Sequence, residues 1–308
     1  MINQNIYIVG AGAIGKVLAV FLTLEGKDVT ILRGSIDNER KHTEKIVIEL
    51  KNAEKIESEI EVSTISNISI IDGIAILTNK SYGNQDLSEK LENKIGNSPI
   101  ILLQNGLNIE KTFVDKNFPE IYRCVLFATS QPIIENKFKF KPVSVSPIGT
   151  IRGNTGHLLE IVERMNTSYF QFRADHTIQP IIWTKTIINS VFNSVCPLLE
   201  SDNGIFHRNE MALNIAKRIV SECVSIAEKA GVSLNIDDVM ENLLLISRFS
   251  DGQLISTYQD IISKRRTEID TLNFAIVEIA KELGEEKKTK ETQLLGELTK
   301  LKSIIARQ

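Results

Sequence analysis

Cysteine is scarce in this chain. Cys124, Cys196 and Cys223 are the three thiols of a 308-residue sequence. They are widely spaced and form no C-x-x-C pair, which excludes a disulfide framework and fits a reducing, cytoplasmic setting. Histidine is also sparse: His42, His157, His176 and His207 stand apart from one another and from the cysteines, so no metal site is expected. No apolar run exceeds strand length, which excludes a bilayer-spanning helix. No basic segment with a cleavage site precedes the first apolar run, so no signal peptide is expected. Neither sign of charge dominates. A formal net charge of −3 offers nothing to a nucleic acid or an anionic membrane surface. Internal repeats and low-complexity segments are missing too. What remains, 42% hydrophobic and 24% charged residues, describes a globular protein, and its length suits two domains.

The chain is organised around Gly10-Ala11-Gly12-Ala13-Ile14-Gly15. Ahead of it, Ile6-Tyr7-Ile8-Val9 has the β-branched and aromatic bias of a buried strand. Behind it, Val17, Leu18, Phe21, Leu22 and Leu24 keep helical spacing until Gly26 stops the helix. Seventeen glycines can produce a G-x-G-x-x-G by chance, as a merely structural turn. Here strand, turn and helix stand in the dinucleotide-binding order, with a second strand, Asp28–Leu32, following. The first glycine permits the turn and the second lets backbone approach a pyrophosphate. The third lets helix pack on strand, so that the N-terminal amides point at the anion. An NAD site places Asp or Glu at the end of the second strand. This chain has Arg33 there, with no acid until Asp37. A guanidinium suits a 2′-phosphate, which a carboxylate would repel. NADP(H) is therefore favoured over the alternative of a solvated surface arginine.

Ser35 to Ser58 is polar around a short apolar patch, Ile46-Val47-Ile48, and reads as an irregular excursion with a short strand at the sheet edge. Val62–Ile65 reads as another small strand. Ile74–Leu77 is a buried parallel strand whose end leads to Lys80, where a cation can reach cofactor phosphates or simply be solvated. Asp86–Lys94 is a polar helix. Ile100–Leu103 is the next buried strand, and it runs into Gln104-Asn105-Gly106. Asn105 suits contact with a nicotinamide ribose or a substrate carboxylate, or equally the capping of a following helix. A further strand is read at Cys124–Ala128. An antiparallel hairpin is read at 137–148, with Pro142 and Pro147 confined to turns or edges.

From about His176 strand signals give way to long helices. Ile181 to Leu199 carries Lys185, Asn189 and Asn193 at i, i+4 and i+8, only about 40° apart per step, so the three form one stripe. Their neighbours, including Ile187, Ile188, Val191 and Phe192, are too apolar for a broad wet face, which favours a lined cleft. Asn203-Gly204 reads as a turn, Met211–Gly231 as an amphipathic helix, and 254–283 as one long helical segment bearing Ser256 and Glu268. The tail, 281–307, carries Leu294, Leu295, Leu298 and Leu301 on a terminal helix docked on the bundle. That stripe could serve a homodimer, although finishing the core is the commoner role.

Taken together, these motifs resemble the ketopantoate reductase (2-dehydropantoate 2-reductase) family over nearly the whole chain. The matching residues are the N-terminal G-x-G-A-I-G, Leu32-Arg33, Lys80, Gln104-Asn105-Gly106, and Trp183-Thr-Lys185 with Asn189 and Asn193. Asn203-Gly204, Ser256-Thr-Tyr-Gln259-Asp260 and Thr267-Glu268-Ile269-Asp270 with Asn273 complete the series. The resemblance implies an α/β N-terminal Rossmann-type dinucleotide-binding domain over 1–175 and an all-α substrate-binding and catalytic domain over 176–308, with the active site in the cleft between them. It also implies NADPH-dependent reduction of 2-dehydropantoate to (R)-pantoate, toward pantothenate and coenzyme A. On this resemblance Gly10, Gly12, Ala13, Ile14, Gly15, Arg33, Lys80 and Asn105 bind NADP(H). Lys185 is the general acid that protonates the ketone oxygen, and Glu268 is its acidic partner. Asn105, Lys185 and Ser256 contact the substrate, while Asn189, Asn193 and Asn203 surround its hydroxyl end.

Two stretches depart from the family pattern. Gly284 is followed by Glu285-Glu286-Lys287-Lys288 rather than a Thr-Pro stretch, and Asn193 is followed by Ser-Val-Cys-Pro. The alternatives are a reductase of another 2-oxo acid on the same scaffold and a catalytically silent NADPH-binding sensor.

Overall fold

The computed structural model describes residues 4–37 and 40–308. The chain divides into two units, Met1–Gln104 with Ile109–Ile178, and Asn105–Asn108 with Gln179–Gln308.

The first unit is built on one eleven-stranded sheet. Its strands are β1 (Ile6–Val9), β2 (Val29–Arg33), β3 (His42–Glu49), β4 (Lys55–Thr64), β5 (Ile74–Leu77) and β6 (Ile100–Leu102). They continue with β7 (Ile121–Cys124), β8 (Ala128–Ile134), β9 (Lys137–Pro142), β10 (Ser146–Arg152) and β11 (Phe172–Ala174). Strands β7-β6-β5-β1-β2-β4 run parallel in that spatial order. Helices α1 (Ala13–Leu24), α2 (Asn84–Glu92), α3 (Lys111–Asp115) and α4 (Leu158–Met165) accompany them. The central strands are continuous apolar runs because both faces are covered. Ile8, Ile31, Ile76 and Ile101 join one core cluster with α1 and α4, while their neighbours Val9, Leu32, Leu77 and Leu102 join a second with α2 and α3. The order of connection reverses at β1, which has β2 on one side and β5 on the other. In an open sheet this switch point is where ligands bind, at the carboxyl ends of the strands.

The structure corrects three readings in this half. The stretch expected to be irregular carries two long strands, β3 and β4, registered antiparallel from His42↔Val62 to Glu49↔Lys55. Their charged residues alternate with apolar ones, a period-two pattern that satisfies one wet and one buried face. Strand β3 lies inside the sheet, since β9 pairs with its other side. The strand read at Cys124–Ala128 is instead the end of β7 and the start of β8. The hairpin partner of β9 is β8 rather than the chain that follows, and the turn is closed by Asn136 at φ +54°. Pro132 sits on β8, the edge strand, where its missing N–H costs nothing. Pro147 lies within β10, just ahead of the first residue registered with β7.

In the second unit no strand occurs among the described residues. Its helices are α5 (Ile178–Leu198), α6 (Ile205–Arg208), α7 (Glu210–Lys229), α8 (Ile236–Phe249), α9 (Ser256–Ile262), α10 (Asn273–Glu282) and α11 (Lys290–Ala306). The segment expected to be one long helix breaks between α9 and α10. Lys264 takes a left-handed φ of +54°, and the Arg265 amide donates to the Asp260 carbonyl while its guanidinium pairs with the Asp260 carboxylate. Glu268 therefore lies in the break, at the head of a short 3-10 turn (Ile269–Thr271), rather than on a helix face.

Helix α11 docks by a face of small residues, with Leu294, Leu298 and Leu301 left outside and Leu295 half-buried. Thr292, Gly296, Thr299 and Ser303 are buried, while Leu294, Leu298 and Leu301 are 55%, 43% and 52% exposed. Gly296 permits this approach, because a Cβ there would lie 3.0 Å from that of Asn273. The Glu222 carboxylate on α7 fixes the helix start by accepting from the Glu291 and Thr292 amides and from the Thr292 hydroxyl. Among the described residues, no helix is long and apolar enough to cross a membrane.

Candidate active site

The turn after β1 is shaped by its three glycines. Gly10 has φ +120°, and a Cβ on it would lie 2.6 Å from the Asn79 amide nitrogen and 2.8 Å from Thr78 Oγ1. A Cβ on Gly15 would collide with the Gly10 carbonyl, so α1 can pack this closely on the strand only with glycine there. Gly12 faces open space and is the N-cap of α1, whose first amides no side chain caps. Ala13 and Ile14, half-buried, start that helix and pack against the core. The Thr78 hydroxyl donates to the Val9 and Gly10 carbonyls at 3.3 and 3.0 Å, tying the end of β5 to the glycine turn. An exposed glycine beside uncapped amides fits the pyrophosphate of a dinucleotide.

Beside this turn lies a network of amides that sequence reasoning largely missed. Gln104 Nε2 donates to the Asn79 carbonyl, to Asn79 Oδ1 and to Asn84 Oδ1 at 2.9, 3.0 and 2.7 Å. Asn84 Nδ2 donates back to Gln104 Oε1 at 2.8 Å and to the Ile109 carbonyl at 2.9 Å. The network locks the carboxyl ends of β5 and β6 and so fixes the backbone from which half-buried Lys80 projects. Its one signal in the sequence is polar residues directly after apolar strands.

Arg33 ends β2, but its guanidinium is held by an acid from another strand. Its Nη2 pairs with Glu44 Oε1 at 2.5 Å, while Lys16 Nζ pairs with Glu44 Oε2 at 2.5 Å and donates to Asn136 Oδ1. His42 Nε2 stands 3.3 Å from Glu44 Oε1. Burial pushes the Glu44 carboxyl up, but the hydrogen bond and charge of Lys16, with His42 and Arg33, outweigh it and hold the carboxyl below the usual range.

In the second unit, Asn105-Gly106-Leu107-Asn108 is knitted to the turn that carries Glu268. The Leu107 amide donates to the Thr271 carbonyl at 2.9 Å, and Thr271 Oγ1 donates to the carbonyls of Asn105 and Glu268. Gly106 at φ +109° makes this possible, since a Cβ there would collide with Thr271. Asn105 and the Glu268 turn are thus brought together through Thr271, a residue the sequence did not flag.

Lys185 and Asn189 are half-buried on α5 among buried Trp183, Ile187 and Ile188. Asn193 is 2% exposed, and its amide is committed to the protein. Its Nδ2 donates to the Asn189 carbonyl, and its Oδ1 accepts from Ser256 Oγ at 3.1 Å and from the Thr257 amide at 3.0 Å. Asn193 therefore caps α9 and positions Ser256, whose side chain is exposed at the helix start. Asn203 is 5% exposed, and its Oδ1 has no hydrogen-bond partner among the described residues. Its own backbone is fixed at both ends: its amide donates to the Gln253 carbonyl and its carbonyl accepts from Ser247 Oγ. Arg208 grips Asp202 and Asp251 around the same turn, and its hydrogen bonds hold the Asp202 carboxyl below the usual range.

The family model described as ketopantoate reductase PanE/ApbA matches residues 6–140, and its C-terminal counterpart matches residues 177–303. The chain belongs to the ketopantoate reductase family. It is accordingly a dinucleotide-dependent oxidoreductase with a Rossmann-type N-terminal half. A 2-dehydropantoate 2-reductase of Pyrococcus horikoshii is 29% identical over 281 residues, covering 90% of this chain and 91% of that protein. Among solved structures, the ternary structure of D-mandelate dehydrogenase with NADH and anilino(oxo)acetate matches with a TM-score of 0.84 at 20% identity, over 99% of this chain and 100% of that one. A dimeric ketopantoate reductase from Staphylococcus aureus matches with a TM-score of 0.82 at 17% identity, over 98% and 99%. These two likenesses show that this ketopantoate reductase family member shares their fold.

Proposed function

We propose that the protein reduces 2-dehydropantoate to (R)-pantoate with NADPH, a small 2-oxo acid being its only other substrate. The observation that carries the substrate is Asn203 Oδ1. A buried acceptor without a partner costs about 1–3 kcal/mol, and a substrate hydroxyl would satisfy it. The relative from Pyrococcus horikoshii supports the same reading by its name. A bound dinucleotide would supply hydride to the carbonyl carbon. The Gly10–Gly15 turn and α1 amides would hold its pyrophosphate, Arg33 and Lys80 its phosphates, and Asn105 its nicotinamide ribose.

As the carbonyl carbon takes up hydride, negative charge develops on the ketone oxygen. The Lys185 ammonium stabilises that alkoxide and then gives it a proton, completing the alcohol. Glu268 orients the ammonium, and Asn105 and Ser256 hold the substrate carboxylate. Asn189 lies one turn along the Lys185 stripe, toward the hydroxyl end. Asn193 supports the site through Ser256.

The test is cofactor oxidation with 2-dehydropantoate against pyruvate, 2-ketoisovalerate and a phenyl-substituted 2-oxo acid. Selective turnover of 2-dehydropantoate over 2-ketoisovalerate, which lacks the hydroxymethyl group, is expected. Preference for the phenyl-substituted acid would replace this reading with the alternative suggested by the mandelate dehydrogenase likeness. Dinucleotide binding without any turnover would leave a silent sensor. The same reading includes a homodimer, supported by the dimeric Staphylococcus aureus relative and the exposed leucines of α11, and sedimentation would measure it.

A further inference from the structure

The ribose-recognition corner of a dinucleotide site ordinarily carries one of two chemistries. An acid at the end of β2 accepts from a ribose 2′-hydroxyl, or an arginine nearby pairs with a 2′-phosphate. This chain holds both, and they are bonded to each other. Arg33 supplies the cation from the end of β2, and Glu44 supplies the acid from β3, with 2.5 Å between them. The Glu44 side chain is 10% exposed and its second oxygen is held by Lys16, the residue directly after the last glycine of the fingerprint. The carboxylate is thus anchored from the α1 side as well and stays in the corner when Arg33 turns away. Local sequence does not reveal it, because eleven residues separate Arg33 from Glu44 and only the β3–β4 hairpin returns the acid to this place.

We infer that Glu44 is a specificity-determining residue that narrows the preference for NADPH and admits NADH. The inference rests on the dinucleotide reading of the glycine turn. For a 2′-phosphate to bind, Arg33 must exchange Glu44 for the phosphate, and the anchored carboxylate then faces a second anion. For a 2′-hydroxyl, the Arg33–Glu44 pair remains intact and the carboxylate is available as an acceptor. The cluster therefore penalises NADPH and favours NADH relative to an arginine alone.

The experiment is fluorescence titration of the whole chain with NADPH and with NADH, for the wild type and for Glu44→Gln and Glu44→Asp. In the wild type the two dissociation constants should lie within about tenfold of each other, the span one charge contact commonly sets. Glu44→Gln keeps the shape and removes the charge. It should tighten NADPH by about tenfold, as expected for one like charge removed near a phosphate, and leave NADH equal or weaker. Glu44→Asp keeps the charge and should keep the wild-type ratio. An unchanged ratio in Glu44→Gln, or equal changes for both cofactors, would overturn the inference while leaving the dinucleotide reading in place. A wild-type preference for NADPH clearly beyond that roughly tenfold span would overturn it even if Glu44→Gln fails to fold. Failure of the folded wild type to bind either cofactor would overturn both.

Discussion

Lys185 reaches a half-buried position on a helix whose neighbours are apolar, a setting in which an ammonium is retained for a purpose. With the role proposed for it, Lys185→Ala should bind NADPH as the wild type does and lose about 10²–10⁴-fold in turnover, which single-turnover and titration measurements separate. Unchanged turnover would remove the proposed mechanism. Arg33→Asp should weaken NADPH by about a hundredfold, losing a charge-assisted contact and adding a repulsion, with a smaller effect on NADH. Equal losses would mean that Arg33 is not the phosphate ligand. Glu44 also carries a pH signature. Its carboxyl is held below the ordinary range in the folded chain, so it stabilises the fold fully above the unfolded value of about 4.3 and loses that stabilisation as pH falls through the lower folded value. Urea midpoints of wild type and Glu44→Gln should therefore differ most near neutrality and converge in acid.

Elements in this protein are placed by side chains that reach across from other elements. Helix α9 starts where Asn193 of α5 meets Ser256 and Thr257, and α11 starts where Glu222 of α7 accepts its first amides. An Asn on α5 read as a substrate ligand is thus a cap by geometry. Asn193→Ala should cost about 1 kcal/mol or somewhat more, the usual loss of an N-cap, visible in chemical denaturation. It should also raise KM more than it lowers kcat, because Ser256 loses its anchor. An equal loss in kcat would place Asn193 closer to the reacting atoms than this arrangement allows. The break between α9 and α10 works similarly. It takes Glu268 off a helix face and hangs it on the turn that Thr271 fastens to Asn105.

At the scale of the whole molecule, the two units differ in how openly they are written. The parallel strands and glycine turn of the first were legible because buried strands are continuous apolar runs and because backbone geometry leaves few substitutes for Gly10 and Gly15. The helical character of the second was equally legible from its periodicity. The β3–β4 hairpin was missed because its charged alternation reads as loop when the apolar patch is short. The leucine stripe of α11 left two roles open, finishing the core or meeting a second copy, and the face that is buried is the one of small residues. A Gly296 approach to α10 and the Glu222 cap set its rotation, and Leu294, Leu298 and Leu301 are left outside.

The sequence by itself determined the class of fold, the dinucleotide turn and the set of polar residues that share the Lys185 stripe, because each depends on neighbours within a turn or a strand. Tertiary structure alone decided that Glu44 meets Arg33 and Lys16, that Asn193 is a cap, that Asn203 keeps a buried acceptor unpaired, and that α11 buries its small residues. Each of those outcomes depends on groups brought together, or kept apart, from distant parts of the chain. Periodicity states which residues share a face, while only packing and hydrogen-bond satisfaction decide what that face meets.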